Sequence, residues 1–184
     1  IYSSIDSEIL NRTAGVYINN LGGEGHMTAI RQPITTGGVY LFLEDGVPTR
    51  PTGFFNHNGL YEVNIPQSQR LEVTKGPGSA LYGSDAIGGV INSISAKVPE
   101  TSQSKLDMEL GQDNWQRLLV SAGAPINPLS GIAISANITQ NDSFRDDARY
   151  ERTSLNSRWT QHLSSTFDIN TSLSFTNVDQ SGTS

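Results

Sequence analysis

The residues best suited to chemistry lie between Arg50 and Tyr61, in the segment RPTGFFNHNGLY. Phe54, Phe55 and Tyr61 stand there beside Arg50, Asn56, His57 and Asn58. Aromatic rings supply flat contact area, while amides and a guanidinium hydrogen-bond an oxygen-rich ligand. That is the chemistry of recognition, not of bond cleavage. The same aromatics could instead pack on their own domain. A catalytic reading finds no support elsewhere. The chain has no HExxH helix, no GxSxG elbow and no histidines at metal-ligand spacing. His26, His57 and His162 are isolated in sequence. Gly23-Glu24-Gly25 lacks the third glycine of a dinucleotide fingerprint, and Gly78 to Gly83 lacks the Lys-Ser/Thr ending of a P-loop. No enzyme activity, metal site or cofactor is expected.

Composition narrows the class further. The chain has 184 residues, of which 35% are hydrophobic, with a formal net charge of −6 and no cysteine. Low apolar content with abundant Gly, Ser, Thr and Asn suits β structure rich in turns. Only 12 basic residues occur, and they are scattered, so a phosphate-binding surface and nucleic acid are excluded. Without cysteine there is no disulfide framework and no thiolate metal site. No apolar run approaches the roughly 20 residues of a membrane-spanning helix, but barrel strands are short and alternate, so they escape that test.

Two kinds of pattern divide the chain near Lys97. Residues 1–97 read as mixed α/β. Ser4 or Asp6 can cap a short helix ending near Leu10. Strands are predicted at Val16–Asn19, Met27–Arg31 and Val39–Leu43, the last a continuous apolar run suited to burial on both faces. Glu44-Asp45-Gly46 supplies a tight turn. Gln69 to Lys97 reads as a strand, a Gly76-Pro77-Gly78 turn, a short helix capped by Ser79, a Gly88-Gly89 pair and a second strand.

Val98 to Ser104 reads as a polar linker containing one proline, and beyond it the period becomes two. Ile132, Ile134, Ala136 and Ile138 oppose Ala133, Ser135, Asn137 and Thr139. Phe167, Ile169, Leu173 and Phe175 oppose Asp168, Asn170, Ser172 and Ser174, and Leu106, Met108 and Leu110 oppose Asp107 and Glu109. A lipid-facing, water-lined barrel wall requires this alternation, although any half-buried antiparallel sheet gives it too. Strands are predicted near 104–112, 115–123, 131–140, 150–160 and 166–176. Short turns near 126–131 and 162–165 contrast with a longer polar loop at 141–149, the asymmetry of outer-membrane barrels.

Several motifs, in order, resemble the plug domain of TonB-dependent outer-membrane receptors. LNRTAGV at 10–16 resembles the family's "L…PGV" opening, with Ala14 in place of proline, and Ala29 to Gln32 resembles its "IRG" segment. LFLEDGVP at 41–48 resembles "LIDGVP", and Arg70 to Ile94 follows the long "RIEVLKGPGSALYGSGAIGGVINI" segment, with mild departures at Asp85 and Ser93. The resemblance covers about residues 4–97.

What it implies is an α+β plug, a small mixed sheet with short helices, followed by antiparallel strands of a transmembrane β-barrel. The family's barrel has 22 strands around a plugged lumen, and about five are present, so the chain reads as a fragment. Plug residues 1–97 and wall residues 98–184 are the expected domains. The implied function is energy-coupled uptake of a scarce nutrient across the bacterial outer membrane, above all a ferric siderophore or other iron complex. The alternative is a non-transporting binding or signalling module built on a plug-like fold. Expected partners are TonB, through a motif upstream of Ile1, a small-molecule ligand such as a metal chelate, and outer-membrane lipid. By family order, Arg50, Phe54, Phe55, Asn56, His57 and Tyr61 fall on a loop facing the substrate. Arg31, Arg70, Glu72, Gly88 and Gly89 fall at plug–barrel contacts, where glycines would permit close backbone approach to the wall.

Overall fold

The computed structural model describes residues 6–22, 25–50, 59–142 and 149–181. Its amino-terminal unit begins with helix α1 (Asp6–Asn11) and the antiparallel hairpin β1 (Val16–Gly22) and β2 (Gly25–Ile30). The Asn11 amide fixes this join, accepting the N–H of Ile18 at 2.6 Å and donating to its carbonyl at 3.0 Å. A four-stranded sheet follows in the order β4-β3-β6-β5. It contains β3 (Tyr40–Glu44), β4 (Val47–Pro48), β5 (Ser68–Lys75) and β6 (Gly89–Ser95). The β3–β6 pair is parallel, and the flanking pairs are antiparallel.

As its apolar run predicts, β3 is buried on both faces. Tyr40 and Phe42 join Leu10, Ile18, Ile30, Leu60 and Ile91 in one core, while Leu41 and Leu43 meet Ala86 and Val90 in a second. Two 3-10 turns, Gly59–Glu62 and Ile65–Gln67, lead into β5, and the one-turn helix α2 (Ser79–Tyr82) joins β5 to β6. Gly78, not Ser79, occupies the α2 N-cap, and no side chain caps that helix. The Ser79 hydroxyl turns instead to the Ala86 carbonyl at 3.4 Å, across the loop that α2 opens. Gly76 and Gly83 have φ of 105° and 94°, so both turn positions require glycine.

Beyond residue 102 the chain forms one antiparallel meander in the order β11-β10-β9-β8-β7. Its strands are β7 (Gln103–Leu110), β8 (Gln116–Asn127), β9 (Ser130–Asn141), β10 (Tyr150–Ser164) and β11 (Phe167–Gln180). Strands β8, β10 and β11 outrun the predicted bounds. At the extended end of β10 the His162–Asp168 pair, at 2.6 Å, continues the ladder. Two-residue turns close one end of the meander, at 128–129 and 165–166, and the longer connections lie at the other.

Register aligns side chains into rows that cross the sheet. Leu106, Val120, Ala136, Leu155 and Phe175 form one such row. This face is open, with Leu106 65% and Phe175 57% exposed. The next row, Asp107, Leu119, Asn137, Ser154 and Thr176, points the other way and faces the amino-terminal unit. Among the described residues no helix is long and apolar enough to cross a membrane.

Candidate functional site

The amino-terminal unit sits on the polar face of the meander, and a network of hydrogen bonds joins the two. Its centre is Arg152 on β10, whose accessible surface is 0%. One guanidinium nitrogen donates to the Tyr61 carbonyl at 3.0 Å, and the other donates to the Val63 carbonyl at 2.9 Å and to Asn64 Oδ1 at 3.1 Å. Burying a cation is costly unless its donors are matched. Here the first 3-10 turn and the link to the second present the Tyr61 and Val63 carbonyls at one point, and charge-assisted bonds offset the loss of water.

Asn64 is the complementary piece. Its Oδ1 also accepts from Thr176 at 2.8 Å, and its Nδ2 donates to Ser174 at 2.6 Å, both on β11. Its backbone N–H donates to Glu44 Oε1 at 2.5 Å, which ties the junction to the end of β3. Nearby, Gln67 Nε2 donates to the Ser135 carbonyl at 2.8 Å and to its hydroxyl at 3.1 Å. A second arginine of β10 reaches the unit six residues on. Arg158 Nη1 lies 3.6 Å from Asp45 Oδ1 in the tight turn after β3. The same carboxylate accepts the N–H of Ser95 at 3.0 Å and also the Ser95 hydroxyl.

The residues singled out from sequence fall in several places. Arg50 and Tyr61 come together: Arg50 Nε donates to Glu62 Oε1 at 2.5 Å and Nη2 donates to the Tyr61 hydroxyl at 2.6 Å. The guanidinium also lies 5.9 Å from the Tyr61 ring centre. The Glu62 hydrogen bond, partly opposed by burial, raises the Arg50 pKa above its ordinary value. Phe54, Phe55, Asn56 and His57 lie outside the described residues. Arg31 is exposed, with a φ of 54°, and its N–H donates to the Gly15 carbonyl at 2.9 Å. Arg70 and Glu72 pair with each other at 2.7 Å on an exposed strand face.

The close approaches at Gly88 and Gly89 differ from expectation in their partners. A Cβ on Gly88 would lie 2.3 Å from Gln32 Nε2 and 2.7 Å from the Tyr40 ring. One on Gly89 would lie 2.7 Å from the Thr74 carbonyl oxygen and 2.9 Å from Ile30. Those neighbours all belong to the amino-terminal unit. The glycines therefore let its two sheets close on one another, with Tyr40 clamped between Gly88 and the hairpin. The Tyr40 hydroxyl accepts the Ile30 N–H and the Gln32 amide, each at 2.9 Å.

Sequence reasoning passed over Arg152, Asn64, Gln67, Arg158 and Asp45. One signal was available: Arg152 and Arg158 share the parity of Ser154 and Asn156, which marks the inward face of β10. Chemically, the junction holds no nucleophile–base pair, and no metal-binding cluster occurs among the described residues. Its described contacts are hydrogen bonds and one ion pair, each of which water can replace.

Known proteins resemble this chain in sequence and in fold. A family model, the TonB-dependent receptor plug domain, matches residues 6–90. The vitamin B12 transporter BtuB of Vibrio vulnificus (strain CMCP6) is 36% identical over 109 residues, covering 58% of this chain and 17% of the transporter. The pyoverdine outer membrane receptor FpvA of Pseudomonas aeruginosa PAO1 superposes with a TM-score of 0.76 at 16% identity, over 96% of this chain and 26% of that one. The unliganded ferric citrate transporter FecA gives 0.78 at 19% identity, over 95% of this chain and 29% of that one. The chain thus spans less than a third of each of these relatives, and the two structural matches establish the fold.

Proposed function

Residues 6–90 belong to the TonB-dependent receptor plug family, and from that premise we propose that the protein is an outer-membrane importer whose plug gates a β-barrel. The barrel takes up a scarce nutrient at the expense of energy delivered by TonB. One observation carries the reading: the plug is seated on the inward face of the wall by polar contacts centred on Arg152, while the outward face carries exposed apolar side chains from all five strands. A gate must leave its seat without exposing a dry core, and a polar seam permits that. The outward rows match the lipid contact of a transmembrane barrel.

For cargo we propose a ferric siderophore or other iron complex. Arg50, Phe54, Phe55, Asn56, His57 and Tyr61 supply the aromatic and hydrogen-bonding contacts that an oxygen-rich chelate needs. The identity to a vitamin B12 transporter favours a corrinoid as the second reading. The test is uptake by cells carrying the full-length gene, with labelled ferric chelates and cyanocobalamin offered in parallel. Uptake of one cargo should stop on loss of TonB or of the proton gradient. Joint replacement of Phe54 and Phe55 by Ala should weaken cargo binding and leave export to the outer membrane intact. A full-length product that stays soluble and monomeric without detergent would overturn the reading in favour of a non-transporting module.

A further inference from the structure

The segment that joins plug to wall, residues 96–102, is held at its two ends by unlike contacts. On the plug side the hold is polar: Ser95 donates to Asp45, and Asp45 meets Arg158. On the wall side Val98 and Pro99 press against two glycines. A Cβ on Gly131 would sit 2.4 Å from Val98 Cγ1, and one on Gly123 would sit 2.6 Å from Pro99 Cδ. Neither glycine has a positive φ, so what these positions require is space. Gly123 pairs with Ala133 and Gly131 with Pro125, which makes a shallow socket across β8 and β9. Pro99 fixes its own φ and keeps Val98 extended, so the knob in this socket is stiff. Between the two holds, Ala96 and Lys97 are exposed.

We propose that Val98 and Pro99 stay in the Gly123–Gly131 socket when the gate opens, and that the plug swings about Ala96 and Lys97 as a hinged door. This rests on the reading of the plug as a gate. The unlike contacts are the reason. Water can replace the polar partners of Asn64, Gln67 and Arg152, but it cannot replace the apolar contact of the knob in its socket. A hinge spares that contact. It also keeps the plug in register with its seat for return.

Full-length protein carrying Val98→Cys with Gly131→Cys tests the socket, since the approach is within disulfide reach. Pro99→Cys with Gly123→Cys is an independent second pair. Asn64→Cys with Ser174→Cys, bridged by a short bis-maleimide, locks the seat. With cyanocobalamin and ferric citrate as probes, the seat bridge should abolish uptake, and the socket disulfides should leave it unchanged. Loss of uptake with both socket disulfides would overturn the hinge. A second measurement needs no cargo. Ser154, 1% exposed in the row that carries Thr176, lies beneath Asn64. In mild urea Ser154→Cys should become reactive to maleimide while Val98→Cys and Gly131→Cys still form their disulfide. Loss of that disulfide at the same urea concentration would overturn the proposal. This second result decides the hinge even where the parent protein takes up neither probe and the transport reading fails.

Discussion

In the plug, Tyr40 to Leu43 are buried on both faces of one strand, whereas in the wall Leu106, Leu155 and Phe175 stand outward and Arg152, Ser154 and Asn156 inward. The plug therefore carries its own dry core. The wall carries none: its apolar side is left open, and its polar side meets the plug or water. The contrast separates two kinds of stability. Changes inside the plug should alter its folding, and changes at the seam should alter seating while both partners stay folded.

The largest break in that contrast is expected from Arg152→Ala. It removes the Arg152 donors from the Tyr61 and Val63 carbonyls and one of two donors from Asn64 Oδ1, and should weaken seating by about 3–5 kcal/mol. Hydrogen exchange across residues 59–67 in the detergent-solubilised protein would read this; exchange equal to that of the parent would refute it. Next is Leu155→Arg on the outward row. If the proposed barrel sets this row at mid-membrane depth, the change should cost the wall about 2–4 kcal/mol, and denaturant titration in lipid vesicles would show it. Ser154→Ala, one residue away and inward, should cost far less in the same titration.

Within the plug, Gly88→Val forces atoms onto the Tyr40 ring and Gln32 and should destabilise the plug by about 1–3 kcal/mol. Ser93→Val should be tolerated better. Equal shifts of the thermal unfolding midpoint would remove the close-packing explanation. The smallest effect should come from Arg158→Gln, which loses a partly exposed ion pair of at most about 1 kcal/mol. Its signature is salt dependence: seating of the parent should weaken slightly as salt rises, and that of the variant should not. A variant with the parent's salt response would place the contact's strength in something other than charge.

Much of this architecture was legible. The wall strands followed from alternation and turn residues, and β3 from its unbroken apolar run. The segment from Arg70 to Ile94 carried the family resemblance on its spacing of glycines. The partners of those glycines were not legible. Spacing shows that the backbone comes close to something, and only the folded chain shows that Gly88 and Gly89 meet Tyr40, Gln32, Thr74 and Ile30 of the plug itself. Arg152 was hidden for a different reason. Its parity placed it inward, but two acceptors of its guanidinium are main-chain carbonyls, which every residue possesses, so no side-chain motif announces them.

That choice of acceptor has an evolutionary consequence. A seat that grips the backbone of residues 61 and 63 places no demand on the side chains at those positions, only on the path of the chain. At these contacts, side-chain change at the two positions is uncoupled from any change in β10, provided the chain there keeps its path.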